Sequence, residues 1–370
     1  MSASTSTSAT RETYAPRRVG EIMLSRVAAS LYWISRYLER AENTARLLDV
    51  NLQLLLDFHA IDDETLKEHW IPILRSADEE EGFGKLYDTA NSRNVTEYMT
   101  FCAENPNSVF SCISAARENA RQVRDQISME MWEVLNMAYL FFKDGEARRL
   151  WNDGDGAGPL YERVKSFSHY FLGLTEATFS RNEGYEFLQF GMYLERADKT
   201  SRILDIKYHM LLPKVTDVGG AVDTVQWQAL LRSASALEAY RRFYMAEILP
   251  KKVAEFLIFS ENFPRSLRFC MQGLDDYLHR LTNTGPDEYP TPPERAFGKL
   301  LSDLNFLSIE DIFRSGFHEY LVKVQEVLSD LDSHIFRVFM YYPPVDVAAE
   351  IRIHQQEQQQ QQTRSSTTRI

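Results

Sequence analysis

Carboxylates and guanidinium groups set at helical spacing are the side chains of this sequence best placed to do chemistry. Glu39, Glu42, Arg46 and Asp49 follow one another three or four residues apart. At about 100° per residue that spacing puts them on one stripe of a helix. Glu195, Asp198, Arg202 and Asp205 repeat the stripe in the same sign order. On a second flank Tyr37, Arg40 and Thr44 recur as Tyr193, Arg196 and Thr200. Three kinds of chemistry fit such a pattern. Buried and mutually paired, the charges hold helices in register. Facing a cleft, Glu39, Arg40, Arg46, Glu195, Arg196 and Arg202 would bind a polar ligand. With one carboxylate desolvated, Glu39 or Glu195 would serve as a buried acid or base. Glu42 and Arg46 also form an i,i+4 pair, worth roughly 0.2–0.5 kcal/mol as plain helix stabilisation.

A second constellation is Arg117, Arg121 and Arg124, a basic stripe at i, i+4 and i+7. The aligned residues further along are Asp275, His279 and Thr282, so the stripe is confined to the first half. Guanidinium forks suit phosphate or carboxylate ligands. Glu130, Glu133 and Asn136 follow and could complete a polar site. Alternatively the arginines pair with Glu39, Glu42 or Asp49 across a helix interface.

Other chemistries find little footing. A ferritin-like di-iron site needs two Glu-x-x-His motifs and further carboxylates, and Asp276-x-x-His279 is a single near miss, read as a surface pair. The eight histidines are scattered. The loop Trp151–Pro159 has the Gly and Asp content of a calcium loop, but Ala157 and Val164 fall where oxygen ligands are required. It is read as a connector. No Walker, Gly-x-Gly-x-x-Gly or Gly-x-Ser-x-Gly pattern occurs. No metal and no cofactor is expected, and no catalytic residue is assigned.

The elements that position these residues are helices. From Leu31 to Leu55 the apolar residues step by three and four with no Gly or Pro between them, one face of a long helix expected over 22–58. Tyr37–Asp49 is written again as Tyr193–Asp205. Trp70-Ile-Pro-Ile-Leu-Arg-Ser-Ala77 likewise reappears as Trp227-Gln-Ala-Leu-Leu-Arg-Ser-Ala234. Pro106, Ser108 and Cys112 reappear as Pro264, Ser266 and Cys270. The expected fold is all-α, a helical bundle of two duplicated multi-helix units, 20–182 and 183–345, related by a pseudo-twofold that brings the two Glu-Arg helices together at the centre. Residues 1–19 and the Gln-rich 346–370 are expected to be disordered tails. Ser108 is the expected N-cap of a helix reaching Ser128.

Apolar content is 44% and charged content 25%, ordinary for a globular chain. A net charge of −12 argues against general nucleic-acid binding. No apolar run has the eighteen residues of a membrane span. Cys102, Cys112 and Cys270 lack Cys-x-x-Cys spacing and read as buried thiols of a cytoplasmic protein.

The doubled Leu-Glu-Arg-Ala core resembles the bacterial Alpha-E family. Its lead-in Leu24-Ser-Arg-Val-Ala-Ala-Ser-Leu-Tyr-Trp-Ile-Ser-Arg-Tyr37 and the later run Ala116–Ser128 carry the same resemblance, which covers roughly residues 20 to 345. Members are typically encoded beside, or fused to, a circularly permuted ATP-grasp ligase-like protein and a transglutaminase-like protein. The resemblance therefore implies a non-catalytic accessory or substrate-binding subunit of an ATP-dependent amide- or peptide-forming system. The Arg117 stripe and the Glu39/Arg46 surface would be the docking or holding elements. The competing readings are a stand-alone enzyme with a central Glu/Arg site and a purely structural interaction module.

Overall fold

The computed structural model describes residues 23, 25–57, 63–153, 156–209, 220–245 and 247–341. Both expected tails lie outside these residues, as do Ile22 and Phe58. The first eight helices are α1 (Ser25–Asp57), α2 (Asp63–Ser76), α3 (Glu80–Gly84), α4 (Ser92–Phe101), α5 (Val109–Gln122), α6 (Met129–Lys143), α7 (Glu146–Asn152) and α8 (Gly158–Thr178). They are followed by α9 (Glu183–His209), α10 (Ala221–Ser233), α11 (Leu237–Tyr244), α12 (Pro250–Phe259), α13 (Leu267–Thr282), α14 (Pro292–Phe306), α15 (Ile309–Ser315) and α16 (Phe317–Ile335), with a short π-helical turn over Phe336–Met340. No strand occurs among the described residues.

The long helix α1 is the axis of the bundle. Leu31, Ile34, Leu38, Ala41, Ala45 and Leu48 are all buried, as their spacing requires. α1 packs on α9, α5, α8 and α10, while α9 also takes α13 and α16. The two helices bearing the Glu-Arg stripes are thus direct neighbours. Their closest approach is set by Gly191, where an added Cβ would stand 2.5 Å from Ser35 Oγ and 2.7 Å from the Tyr32 carbonyl oxygen. Ser35 precedes Glu39 by the same interval as Gly191 precedes Glu195, so corresponding points of the two helices meet. Gly191→Ala is expected to cost about 1–3 kcal/mol by overpacking, read as a lowered urea midpoint. Gly84→Ala, which meets nothing within 4 Å, should stay within about 0.5 kcal/mol of the parent. Equal stability for both variants would contradict the close crossing.

The helix starts obey local chemistry. Ser108 Oγ accepts the Ser111 N–H at 3.2 Å and caps α5. Ser266 Oγ accepts the Phe269 N–H at 3.1 Å and caps α13. After each break a buried thiol donates back to a proline carbonyl, Cys112 to Pro106 at 3.7 Å and Cys270 to Pro264 at 3.4 Å. The ends of α2 and α10 also match, with Asp78 at φ 60° and Ser235 at φ 52°.

Two expectations are corrected. The helix from Ser108 stops at Gln122 rather than Ser128, because Val123 and Ile127 turn inward to be buried. Ser128 is instead an N-cap, accepting the Met131 N–H at 3.2 Å to begin α6. Cys112 and Cys270 are buried, and burial pushes both thiols up to about 12. Cys102 is partly exposed and lies 3.2 Å from a Glu104 oxygen.

Candidate functional site

The repeated Glu and Arg exchange partners between helices. Arg40 of α1 donates from Nε to Glu195 Oε1 at 2.7 Å and from Nη2 to Oε2 at 3.0 Å, a two-pronged clasp on α9. Arg36, one turn earlier, donates from Nε to Glu195 Oε2 at 2.8 Å. In return Arg196 of α9 places Nε 3.0 Å from Glu39 Oε2. That N–H is not aimed along a hydrogen-bond line, so the contact is Coulombic rather than hydrogen-bonded. Arg265, just before the α13 cap, bonds Glu39 through Nη1 and Glu42 through Nη2 at 3.0 Å. Arg46 completes the cluster. It pairs with Glu42, donates to the Ser233 carbonyl at the end of α10 at 2.6 Å and reaches Asn43 Oδ1 at 2.6 Å.

Glu39, Glu42 and Glu195 are all but closed to solvent. Burial alone would raise their pKa values. For Glu195 the guanidiniums of Arg40 and Arg36, with Lys199, outweigh burial and hold the carboxyl well below the usual range. Arg196 and Arg265 likewise outweigh burial and lower Glu39, and Arg265 and Arg46 hold Glu42 well below the usual range. Arg46, desolvated and facing Arg265, is brought down to about 10, still a cation at neutral pH. The stripe ends also close on partners. Asp49 takes Lys165 at 3.0 Å, and Asp205 takes His318 at 2.6 Å.

The two sides of this cluster differ at Glu42 against Asp198, at Asn43 against Lys199 and just before the caps of α5 and α13. Asn107 and Arg265 each stand immediately before an N-cap serine, Ser108 and Ser266. Arg265 extends into the space between Glu39 and Glu42 and fills it. Asn107 is shorter and is used up on Arg40 Nη1 at 2.7 Å and Glu79 Oε1 at 2.7 Å. What remains on its side is an open, mainly polar cleft of about 220 Å³. Arg36, Arg40, Lys199 and Arg202 supply its cations. Asp78, Asp198 and Asp332 supply its carboxylates. The far wall is Gln325, Leu328 and Ser329 of α16. A smaller pocket against Asn43 and Ile73 shares Ala77, Lys199 and Arg202 with it.

Of the residues singled out by spacing, Glu39, Arg40, Arg46, Glu195, Arg196 and Arg202 therefore converge. Arg117, Arg121 and Arg124 do not join them and do not pair with Glu39, Glu42 or Asp49. Arg117 packs over Trp132 and Tyr139, its carbon 5.4 and 4.8 Å from the ring centres, and reaches Asn136 Oδ1 at 3.3 Å. Arg124 covers the same Trp132 at 5.3 Å. Arg121 pairs with Glu118 at the surface, and Glu133 is exposed. His279 faces Asp275 and Thr284 instead of Asp276, and is largely buried rather than a surface pair. Among the described residues no group of His, Cys, Asp and Glu could hold a metal ion. No described helix is long and apolar enough to cross a membrane. Spacing missed Arg36, Asn107, Arg265, Gln325 and Asp332. Only Arg36 left a trace, lying one turn before Arg40 on the same helix.

The fold and its centre define an all-helical protein built around two helices whose Glu-Arg pairs interlock. The chain belongs to the Alpha-E family, described as a predicted alpha-helical domain with a conserved ER motif, whose model matches residues 23–340. It is 24% identical over 278 residues to an uncharacterised protein of Mycobacterium bovis, covering 72% of this chain and 31% of that one. Uncharacterised proteins of two Mycobacterium tuberculosis strains match with the same identity and coverage. The chain thus spans under a third of the length of these relatives. No solved structure matches it.

Proposed function

We propose that this chain is a non-catalytic helical subunit that holds a small ligand or docks a partner in an ATP-grasp-linked, amide- or peptide-forming system of the cytoplasm. The observation that carries the reading is the saturation of the Glu-Arg centre. Glu39, Glu42 and Glu195 are each held by two or more cations and lie well below neutrality in pKa. A general acid or base works best with a pKa near the operating pH, and these carboxylates are neither proton-bearing nor appreciably basic. The motif reads as a clasp, with the function in the cleft beside it and on the outer surface. The greater length of the relatives supports a unit that works beside another domain.

The α5–α6 face is the surface offered to a partner. Arg117 and Arg124 are laid flat on Trp132 and Tyr139, and Met129, Met137 and Leu140 stand exposed around them. The decisive experiment is affinity purification of the tagged chain from its native host. Stoichiometric recovery of a circularly permuted ATP-grasp protein, with or without a transglutaminase-like protein, is expected. Arg121→Glu should abolish that recovery while the helical circular dichroism spectrum persists. Recovery of the chain alone would sink the reading.

A further inference from the structure

The cleft has one cation and one carboxylate to spare. Arg202 gives Nε to Asp198 at 2.9 Å, and its Nη1 and Nη2 donate to nothing among the described residues. Its counterpart Arg46 is spent on Glu42, Asn43 and the Ser233 carbonyl. Lys199 Nζ stands beside Arg202, 3.3 Å from Asp198 and 3.6 Å from Glu195, too far for short hydrogen bonds and with donors left over. Gln325 Nε2 is buried with no acceptor. A buried amide donor left unpaired is destabilising, so an incoming acceptor at this wall has a standing advantage. At the lip, the exposed Asp78 carboxylate has no partner among the described residues. It sits at a left-handed turn, φ 60°, where asparagine and aspartate are the side chains best tolerated after glycine.

Charge balance selects between ligand classes. Arg36, Arg40, Lys199 and Arg202 face Asp78, Asp198 and Asp332 on the wall, with Glu195 and Glu79 directly behind it, so carboxylates are at least as many as cations. A phosphate dianion would add two negative charges to a site in which cations do not outnumber carboxylates. A ligand carrying one carboxylate and one ammonium leaves the net charge unchanged and meets both spare groups. An open volume of about 220 Å³ accommodates an amino acid or a short peptide.

We infer that this cleft is a binding site for a small zwitterion, an α-amino acid or short peptide. Its carboxylate lies on Arg202, Lys199 and Gln325, and its ammonium on Asp78. The corresponding space on the other side is occupied by Arg265, so the described residues carry one such site rather than two. This deepens the subunit reading by naming what is held, but it does not require the ligase partner.

Isothermal titration of the full chain with the standard L-α-amino acids and glycylglycine, each singly, tests it. At least one should bind saturably at one site per chain. Blocking its amine by N-acetylation or its carboxylate by amidation should weaken binding by about tenfold or more. Arg202→Gln and Asp78→Asn should each weaken it similarly. Asn107→Arg, which places on this side the side chain that plugs the other, should abolish binding with an unchanged circular dichroism spectrum. The inference is overturned if no zwitterion binds at millimolar concentration, if inorganic phosphate alone binds, or if Arg202→Gln binds as the parent does. A negative titration beside successful recovery of the ATP-grasp protein would remove the ligand site and leave the docking role standing.

Discussion

Glu195→Ala is expected to destabilise the fold by about 3–5 kcal/mol, more than any surface substitution in the chain. The carboxylate is fully buried and neutralises Arg36 and Arg40 at 2.8 and 2.7 Å, with Lys199 at 3.6 Å. Removing it leaves the Arg40 guanidinium with no carboxylate and Arg36 with Asp332 alone, at 2.8 Å. An uncompensated buried charge costs far more than the net worth of the pair. Urea denaturation followed by circular dichroism measures the loss. Glu118→Ala supplies the contrast, since its pair with Arg121 is half-exposed on both sides. Such pairs contribute about 0–1 kcal/mol. If both variants lose the same small amount, the buried cluster does not brace the fold.

Acid is the second lever. The folded-state pKa values of Glu39, Glu42, Glu195 and Asp198 are depressed, burial being outweighed in each case by neighbouring cations. In the unfolded chain these groups titrate near about 4.3 for Glu and about 3.9 for Asp. Below about pH 5 the unfolded chain binds more protons than the native one, so stability rises with pH there. Their contribution is fully present above the unfolded values and is lost as pH falls through the folded ones. Each unit of depression is worth about 1.4 kcal/mol. The half-buried Glu186 and Asp275 are raised by burial and act in the opposite sense, but they are outnumbered by the lowered carboxylates, which also include Glu294. The urea midpoint should therefore be flat from pH 7 to about 5 and fall steeply below it. Glu42→Gln should start lower and show a shallower fall. A midpoint that rises on acidification would show the carboxylates to be unpaired.

The helical centre was legible in the sequence because its information is periodic. The steps from Leu31 to Leu48 and the two Tyr-Leu-Glu-Arg-Ala runs place the same residues on the same helix faces without reference to anything distant. Periodicity also placed Arg117, Arg121 and Arg124 on one stripe, but it says nothing of what a stripe faces. Trp132 and Tyr139 on the next helix, not the central carboxylates, receive Arg117, and Trp132 also receives Arg124. Arg265 and Asn107 were illegible because they sit in breaks before helices, where no period applies. Their importance comes entirely from which cavity the break overlooks. Gln325 and Asp332 belong to a helix far along the chain, and only tertiary packing brings α16 over the α1–α9 seam. The overrun of α5 has a similar origin. Arg124, Asp125 and Gln126 are adequate helix formers, and burial of Val123 and Ile127 overrides local propensity.

A double-mutant cycle on Arg40 and Glu195 tests most directly whether the Glu-Arg pairs are a clasp between α1 and α9. Arg40→Met, Glu195→Leu and the combined variant would be compared with the parent by urea denaturation at pH 7. Glu195→Leu strands Arg40, and Arg40→Met leaves Glu195 to Arg36 and Lys199 alone. The double variant removes both members of the pair, so it should be more stable than the two losses added together predict. A coupling of about 2 kcal/mol is the expected result. Losses that add to within about 0.5 kcal/mol would mean that the two side chains do not depend on one another, and the clasp would be contradicted.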